Sequence, residues 1–348
     1  MPVDLRSDTL TKPTPAMRAA MAAAEVGDDT FGEDPTVLAL EERVAEVLGV
    51  EAALYVTSGH MGNQVALRVH SQPGDCVIAH SGCHIFNYES GALCAISGLL
   101  PRAIESADGT FTPAQLREKL WPDNIHHPRN RLVALENTHN RCGGTVWPLE
   151  LHEQVCESAH ELGLLVHLDG ARLWNACVAT GTSPREWTSA VDSVSVCFSK
   201  GLGAPVGSAV CGCAEFVKEA RFIRKMFGGQ MRQAGIIAAG ALYALEHHRE
   251  RLHEDHDNAR LLAGLVDQAP GLKCVPPQSN IVMIDILSGP DGQPPRVSAQ
   301  RLVELLADDV LAFTTGEYRI RAVTHLDVTA ADCQRAGEAF IAAMRGLA

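Results

Sequence analysis

Leu164-Leu165-Val166-His167-Leu168-Asp169 is the stretch whose reading decides the fold. An apolar run with so little polar alternation suits a strand covered on both faces, and the aspartate stands at its carboxyl end. The helical pattern at 149–162 precedes it, and a second such strand, 191–198, follows and leads to Lys200. Working towards the N-terminus, Ala52-Ala53-Leu54-Tyr55-Val56, Cys76-Val77-Ile78-Ala79 and Leu132-Val133-Ala134-Leu135 repeat the strand signal, with helix-like segments between them. The first clear helix spans 34–49. Asp34 suits the cap and Pro35 the first turn, Val37, Leu40, Val44 and Leu48 form an apolar stripe, and Gly49 ends it. The expected fold class is therefore α/β, with a mostly parallel sheet covered by helices.

The alternation fades after about residue 213. Residues 214–265 read as long helices, with 246–251 as a solvated face. Beyond them, 281–286 and 319–323 are candidate strands, 298–306 and 330–347 candidate helices, and 289–295 a surface loop rich in Gly and Pro. At about 150 residues per domain, 348 residues suggest two domains. The expected division is an N-terminal arm and large domain over 1–248 and a smaller C-terminal α+β domain over 249–348.

Composition narrows the function. Acidic residues outnumber basic ones, 42 to 29, for a net charge of −13, which argues against binding nucleic acid or an anionic membrane surface. No apolar run approaches the roughly 18–20 residues of a membrane span, and residues 1–10 offer no signal-peptide core. Eleven scattered cysteines fit free thiols in a reducing compartment, so a cytoplasmic enzyme is expected.

In open parallel sheets the strand carboxyl ends line the ligand crevice. Asp169 and Lys200 at two such ends would suit pyridoxal phosphate, the lysine joining the cofactor aldehyde and the aspartate keeping the pyridine nitrogen protonated. The plainer reading of the same pair is a helix-capping aspartate and a lysine lying along the surface. Ser58-Gly59-His60-Met61-Gly62-Asn63 adds weight to the first, because a turn opening a helix presents backbone N–H groups to phosphate. Cys76, His80, Cys83 and His84 lie close in sequence, but their spacing matches no usual metal pattern, and no metal is expected. Cys211-Gly212-Cys213 reads as core packing rather than a redox pair.

Six stretches carry a more specific signal: D-L-R-S-D-T (4–9), V-G-D-D-T-F-G-E-D-P-T (26–36), L-E-N-T-H-N (135–140), H-L-D-G-A-R-L (167–173), S-K-G-L-G-A-P-V-G-S (199–208) and M-R-Q-A-G (231–235). In this order, nearly end to end, the chain resembles the L-threonine aldolase family. The resemblance implies an aspartate-aminotransferase-like large domain of fold type I, a pyridoxal phosphate cofactor, and cleavage of a β-hydroxy-α-amino acid into glycine and an aldehyde. It implies that Lys200 anchors the cofactor, that Asp169 pairs with the pyridine nitrogen, and that Gly59, His60 and Ser199 take the phosphate. Arg172 is implied near the cofactor hydroxyl and the substrate carboxylate, with Arg321 as a second carboxylate clamp and Ser7 assisting. Arg232 is implied to reach a phosphate in a neighbouring subunit of a homotetramer built as a dimer of dimers.

A two-point guanidinium clamp would fix rotation about Cα, because arginine offers planar, bidentate donors. A base must also take the β-hydroxyl proton, and imidazole suits that role. His84 matches the histidine stacked on the cofactor ring and is a candidate base, with a bound water as the rival. His126 matches a position facing the β-substituent, its plainer reading being an exposed loop histidine, and Tyr88 would shape the same pocket. The chain departs from the family pattern at His60, where Thr is usual, and at Gln230, where Gly is usual. Both bear on cofactor affinity and substrate preference. Cleavage of bulkier phenylserine-type substrates, β-elimination, and a scaffold that binds the cofactor without catalysis remain as alternatives.

Overall fold

Asp34 accepts hydrogen bonds from the amides of Thr36 and Val37 and opens the helix Pro35–Leu48, which Gly49 ends in a left-handed conformation (φ 71°). That matches the expected helix at both ends. The computed structural model describes residues 1–289 and 293–347, so part of the expected 289–295 loop lies outside the described residues. The chain divides into two compact units, Pro13–Arg249 on the one hand and Met1–Lys12 with Glu250–Ala348 on the other.

The larger unit is built on a seven-stranded sheet. Its strands, from edge to edge, are Ala52–Val56, Ser208–Gly212, Ser193–Cys197, Leu165–Gly170, Asn130–Glu136, Cys76–His80 and Leu100–Ile104. Ser208–Gly212 runs antiparallel to both its neighbours, and the remaining pairings are parallel. Every residue of Cys76–His80, Ser193–Cys197 and Ser208–Gly212 is buried, as strands covered on both faces require. Register places Glu136 beside Asp169 and Asp169 beside Ser195, so side chains of three neighbouring strands meet at one end of the sheet. The helix Gly59–His70 packs over this sheet through Val65 and Ala66, in a core shared with Leu54, Val56 and Val210.

The 246–251 stretch is only partly the expected solvated face. His248 is buried, and its Nδ1 lies 2.7 Å from the Leu202 carbonyl oxygen, because the chain turns back there at the end of the helix Gly235–His247.

The smaller unit holds a four-stranded antiparallel sheet in the order Phe313–Gly316, Arg319–Val323, Ile281–Ile286, Leu272–Val275. Helices Leu252–Val266, Ala299–Leu306 and Ala330–Gly346 contribute to its core. Residues 1–12 belong to this unit because Val3 and Asp4 pair in parallel with Val310 and Leu311, and Leu5 joins the same core. No helix among the described residues is long and apolar enough to cross a membrane.

Candidate active site

Asp169 is the penultimate residue of the strand Leu165–Gly170 and is only 3% exposed. The Ala171 amide donates to its Oδ1 (3.1 Å) and the Asn63 side-chain amide to its Oδ2 (2.8 Å). A carboxylate accepts about four hydrogen bonds, so this one retains capacity for a further N–H donor. Burial pushes its pKa up, but the charges of His84 and Lys200 and the bonds from Asn63 and Ala171 outweigh it. The carboxyl is held below its ordinary value and stays ionised.

Lys200 follows the neighbouring strand, half-buried, and its Nζ donates to Cys197 Sγ (3.5 Å). Ser208 Oγ donates to the same sulfur (3.2 Å). Gly59 opens the helix Gly59–His70, capped by Ser58, and a Cβ built on it would lie 2.6 Å from that sulfur. Only glycine permits this approach, which brings a helix N-terminus up to the sulfur that Lys200 touches. First-turn amides have no acceptor within their own helix, so those of Gly59 and His60 suit a phosphate. An ionised carboxylate with spare acceptor capacity, a lysine amine and an anion-seeking helix start are the donor set that pyridoxal phosphate needs.

Glu89, 1% exposed, gathers the next layer. It accepts from Asn63 Nδ2 (2.8 Å) and Gln64 Nε2 (2.6 Å), and lies 2.9 Å from His84 Nδ1. His60 Nε2 stands 3.8 Å from its other oxygen. The His84 amide donates to Glu136 Oε2 (2.6 Å), while the Asn140 amide takes the other oxygen (2.8 Å). Burial pushes the His84 pKa down, but the Glu89 bond and the charges of Asp169, Glu89 and Glu136 leave it raised above the ordinary imidazole value. The half-exposed Tyr88 ring lies 5.6 Å from that of His84. Arg172, 6% exposed, donates to Asn140 Oδ1 (3.2 Å).

The structure thus brings together Lys200, Asp169, Gly59, His60, His84 and Tyr88, with Ser199 adjoining Lys200 in the chain and Arg172 tied to the neighbouring Asn140. It does not bring His126 into this cluster: that side chain is exposed on the 121–129 loop, where its amide donates to Asn124 Oδ1 (2.9 Å). Arg232 is exposed and pairs with Asp28 (3.1 Å), so the motifs at 26–36 and 231–235 meet. Beside them Gln230 donates to Asp29 Oδ2 (2.7 Å) and accepts from Arg224 (2.9 Å), completing a buried Arg224–Asp29 pair. Ser7 and Arg321 belong to the smaller unit, where Ser7 caps a short helical turn and Arg321 donates to the Arg6 carbonyl (3.3 Å). His80 does not join Cys76, Cys83 and His84 but stands near His139 and Cys142, with ligand atoms within 4.8 Å of one another. Both His80 ring nitrogens are already engaged, by the Gly82 amide and by Ser106.

Asn63, Gln64, Glu89 and Glu136 belong to the cluster without having been singled out from the sequence. The one signal was adjacent amides, Asn63-Gln64, at the start of the apolar run Val65-Ala66-Leu67.

A mostly parallel sheet carrying an aspartate and a lysine at neighbouring strand ends, beside a glycine-opened helix, defines a fold-type I pyridoxal phosphate enzyme. Residues 4–288 match the model of the beta-eliminating lyase family, and the chain belongs to this family, among its L-threonine aldolases. It is 42% identical over 339 residues to a probable low-specificity L-threonine aldolase 2 of Arabidopsis thaliana, covering 95% of this chain and 94% of that one. It is 40% identical over 328 residues to the low specificity L-threonine aldolase of Escherichia coli (strain K12), covering 94% and 95%. The structure of Leishmania major threonine aldolase superposes with a TM-score of 0.85 over 100% of both chains at 21% identity, a likeness of fold.

Proposed function

We propose that this chain cleaves L-threonine, L-allo-threonine and related L-β-hydroxy-α-amino acids to glycine and an aldehyde, by retro-aldol scission of the Cα–Cβ bond. The observation that carries the reading is the Asp169 carboxylate, buried yet held ionised beside Lys200 and His84. Pyridoxal phosphate, when bound, would supply an electron sink for the pair left on Cα. Asp169 would accept the pyridine N–H and keep that nitrogen protonated. Lys200 would be the covalent anchor, and the amides of Gly59 and His60, with Ser199, would hold the phosphate. Arg172 grips the substrate carboxylate and sets the Cα–Cβ bond at the angle cleavage needs. For Arg321 and Ser7, the same carboxylate role rests on the motif match alone.

His84 takes the proton of the β-hydroxyl as the aldehyde leaves. Its neutral form keeps a proton on Nδ1, facing Glu89, which leaves the Nε2 lone pair as the acceptor. Tyr88 is assigned to the side of the pocket facing the β-substituent; the same role for His126, and that of Arg232 at a phosphate in a neighbouring copy within a cytoplasmic homotetramer, rest on the motif match alone.

Aldehyde release by the purified protein with pyridoxal phosphate tests the reading on L-threonine, L-allo-threonine and L-phenylserine, with Lys200→Ala as control. Lysine-dependent aldehyde with equimolar glycine is the expected result, and the rates rank the substrates. Ammonia with a keto acid would make the chain a β-eliminating enzyme. A holoenzyme that forms neither set of products would leave it a cofactor-binding scaffold.

A further inference from the structure

The Asn63 carboxamide has two faces with opposite demands. Its Nδ2 lies 2.8 Å from both Glu89 Oε1 and Asp169 Oδ2, two carboxylate oxygens that only accept. The amide oxygen must therefore point the other way, where Ser195 Oγ (2.6 Å) and His167 Nε2 (3.2 Å) approach it. An oxygen there admits only donors, so Nε2 of His167 carries the proton and its Nδ1 is a lone pair. That lone pair faces Ser193 Oγ at 2.9 Å, so the serine hydroxyl donates to it. Ser193 then has only acceptor capacity left for His70 Nε2, which sits 2.7 Å away and must donate. All five side chains are buried, His167 completely.

We propose that His167, acting through Asn63, is a positioning residue for the cofactor: a one-way hydrogen-bond chain from His70 through Ser193 and His167 to Asn63 locks the amide so that both its N–H groups serve Asp169 and Glu89. The cofactor part of this inference rests on the function proposed above; the direction of the chain does not. Aligned donors polarise one another, so each link strengthens the final bonds to the carboxylates. Burial supports the arrangement by keeping both imidazoles neutral: it pushes the His167 pKa down to about 4 and that of His70 to about 3. Were His167 to carry its proton on Nδ1, facing Ser193, its Nε2 lone pair would oppose the Asn63 oxygen and the amide would lose the donor that holds it in place. Its bonds to the two carboxylates would loosen, leaving Asp169 with the Ala171 amide and the charges of His84 and Lys200.

Two measurements test this. Nitrogen-15 NMR of histidine-labelled protein, with and without cofactor, reads the tautomer directly. The expected result is a neutral His167 with its proton on Nε2 at neutral pH and below; a proton on Nδ1, or an imidazolium, overturns the chain whatever the enzyme's reaction. Spectrophotometric titration with pyridoxal phosphate then reads its consequence. Folded His167→Leu is expected to bind the cofactor roughly tenfold more weakly. His167→Gln, which retains one donor and one acceptor, is expected to recover most of that loss, and Ser193→Ala to lose a smaller factor. Unchanged affinity in a folded His167→Leu protein, or a Gln variant no better than Leu, overturns the positioning role. If His167→Leu does not fold, the Ser193→Ala affinity and the wild-type tautomer decide.

Discussion

Glu89 is a buried carboxylate engaging Asn63, Gln64 and the imidazole of His84, which makes it the hub of the site. Its charge favours the imidazolium, so the sign of its effect on pH dependence is fixed. His84 accepts a proton only when neutral, and its pKa lies above the ordinary value of about 6.5. The acid limb of the kcat profile should therefore lie above that value. Glu89→Gln should move it to lower pH while weakening catalysis, because one of the two amide donors loses its acceptor; an unmoved limb would assign it to another group. His84→Asn should lower kcat by about 10²–10⁴ with the cofactor still bound, the usual contribution of a general base. A loss under about tenfold would hand the proton to water. The sequence offered His84 and Tyr88 but not the role of Glu89, because a carboxylate's burial depends on which helix packs over it.

At the scale of elements, the helix Gly59–His70 does two things at once: it points its N-terminus at the lysine and sends Asn63 and Gln64 inward. Gly59→Ala would set a methyl group 2.6 Å from Cys197 Sγ. The helix start should retreat, with a destabilisation of about 1–3 kcal/mol and weaker cofactor binding. Adding Cys197→Ala removes the obstructing sulfur and should restore affinity, measured by the same cofactor titration. If the double variant binds no better than Gly59→Ala alone, steric approach is not what the glycine provides. Asp34 likewise serves two elements, capping Pro35–Leu48 and accepting from the Gly235 amide (2.8 Å). Asp34→Ala should cost about 2–3 kcal/mol in urea unfolding, more than an isolated cap. The strands at 52–56, 281–286 and 319–323 stood in the sequence at their observed limits: the first is an unbroken apolar run, the second is interrupted only by Asp285, and Arg-Ile-Arg-Ala-Val begins with the alternation of a strand covered on one face. Leu100–Ile104 and Ser208–Gly212 did not. The first is a partly exposed edge, and the second, Ser-Ala-Val-Cys-Gly, directly follows the glycine-rich turn at 201–207.

At the scale of the whole molecule, the expected domain limits and the observed units differ at residues 1–12, and the reason is pairing. Val3 and Asp4 carry no strand signal of their own and acquire one only beside Val310 and Leu311. A second whole-chain property is equally invisible residue by residue: the burial of neutral histidines. His70, His152, His167 and His256 are all under 9% exposed, and burial lowers their pKa to about 3, 4, 4 and 4 respectively. Unfolded, each titrates near 6.5, so the unfolded chain binds more protons between about pH 4 and 6.5, and stability falls as pH drops through that window. His84, with its raised pKa, has the opposite sign, but its contribution is complete below about pH 6.5 and is lost only as pH rises above that value, outside this window. Asp332, lowered to about 2, acts only at more acid pH. His152 isolates one of these protons cleanly. It packs edge-on against Trp147 and Trp187, and its Nε2 has no hydrogen-bond partner among the described residues. His152→Phe should therefore retain the packing and at least match the parent at pH 7.5 in urea unfolding. Between pH 6 and 4.5 its stability should fall less steeply, by about 1.4 kcal/mol per pH unit, the share of a single proton. A parallel pair of stability curves would mean that His152 gains no proton on unfolding, and the acid sensitivity of the chain would then have to come from His70, His167, His256 and its carboxylates.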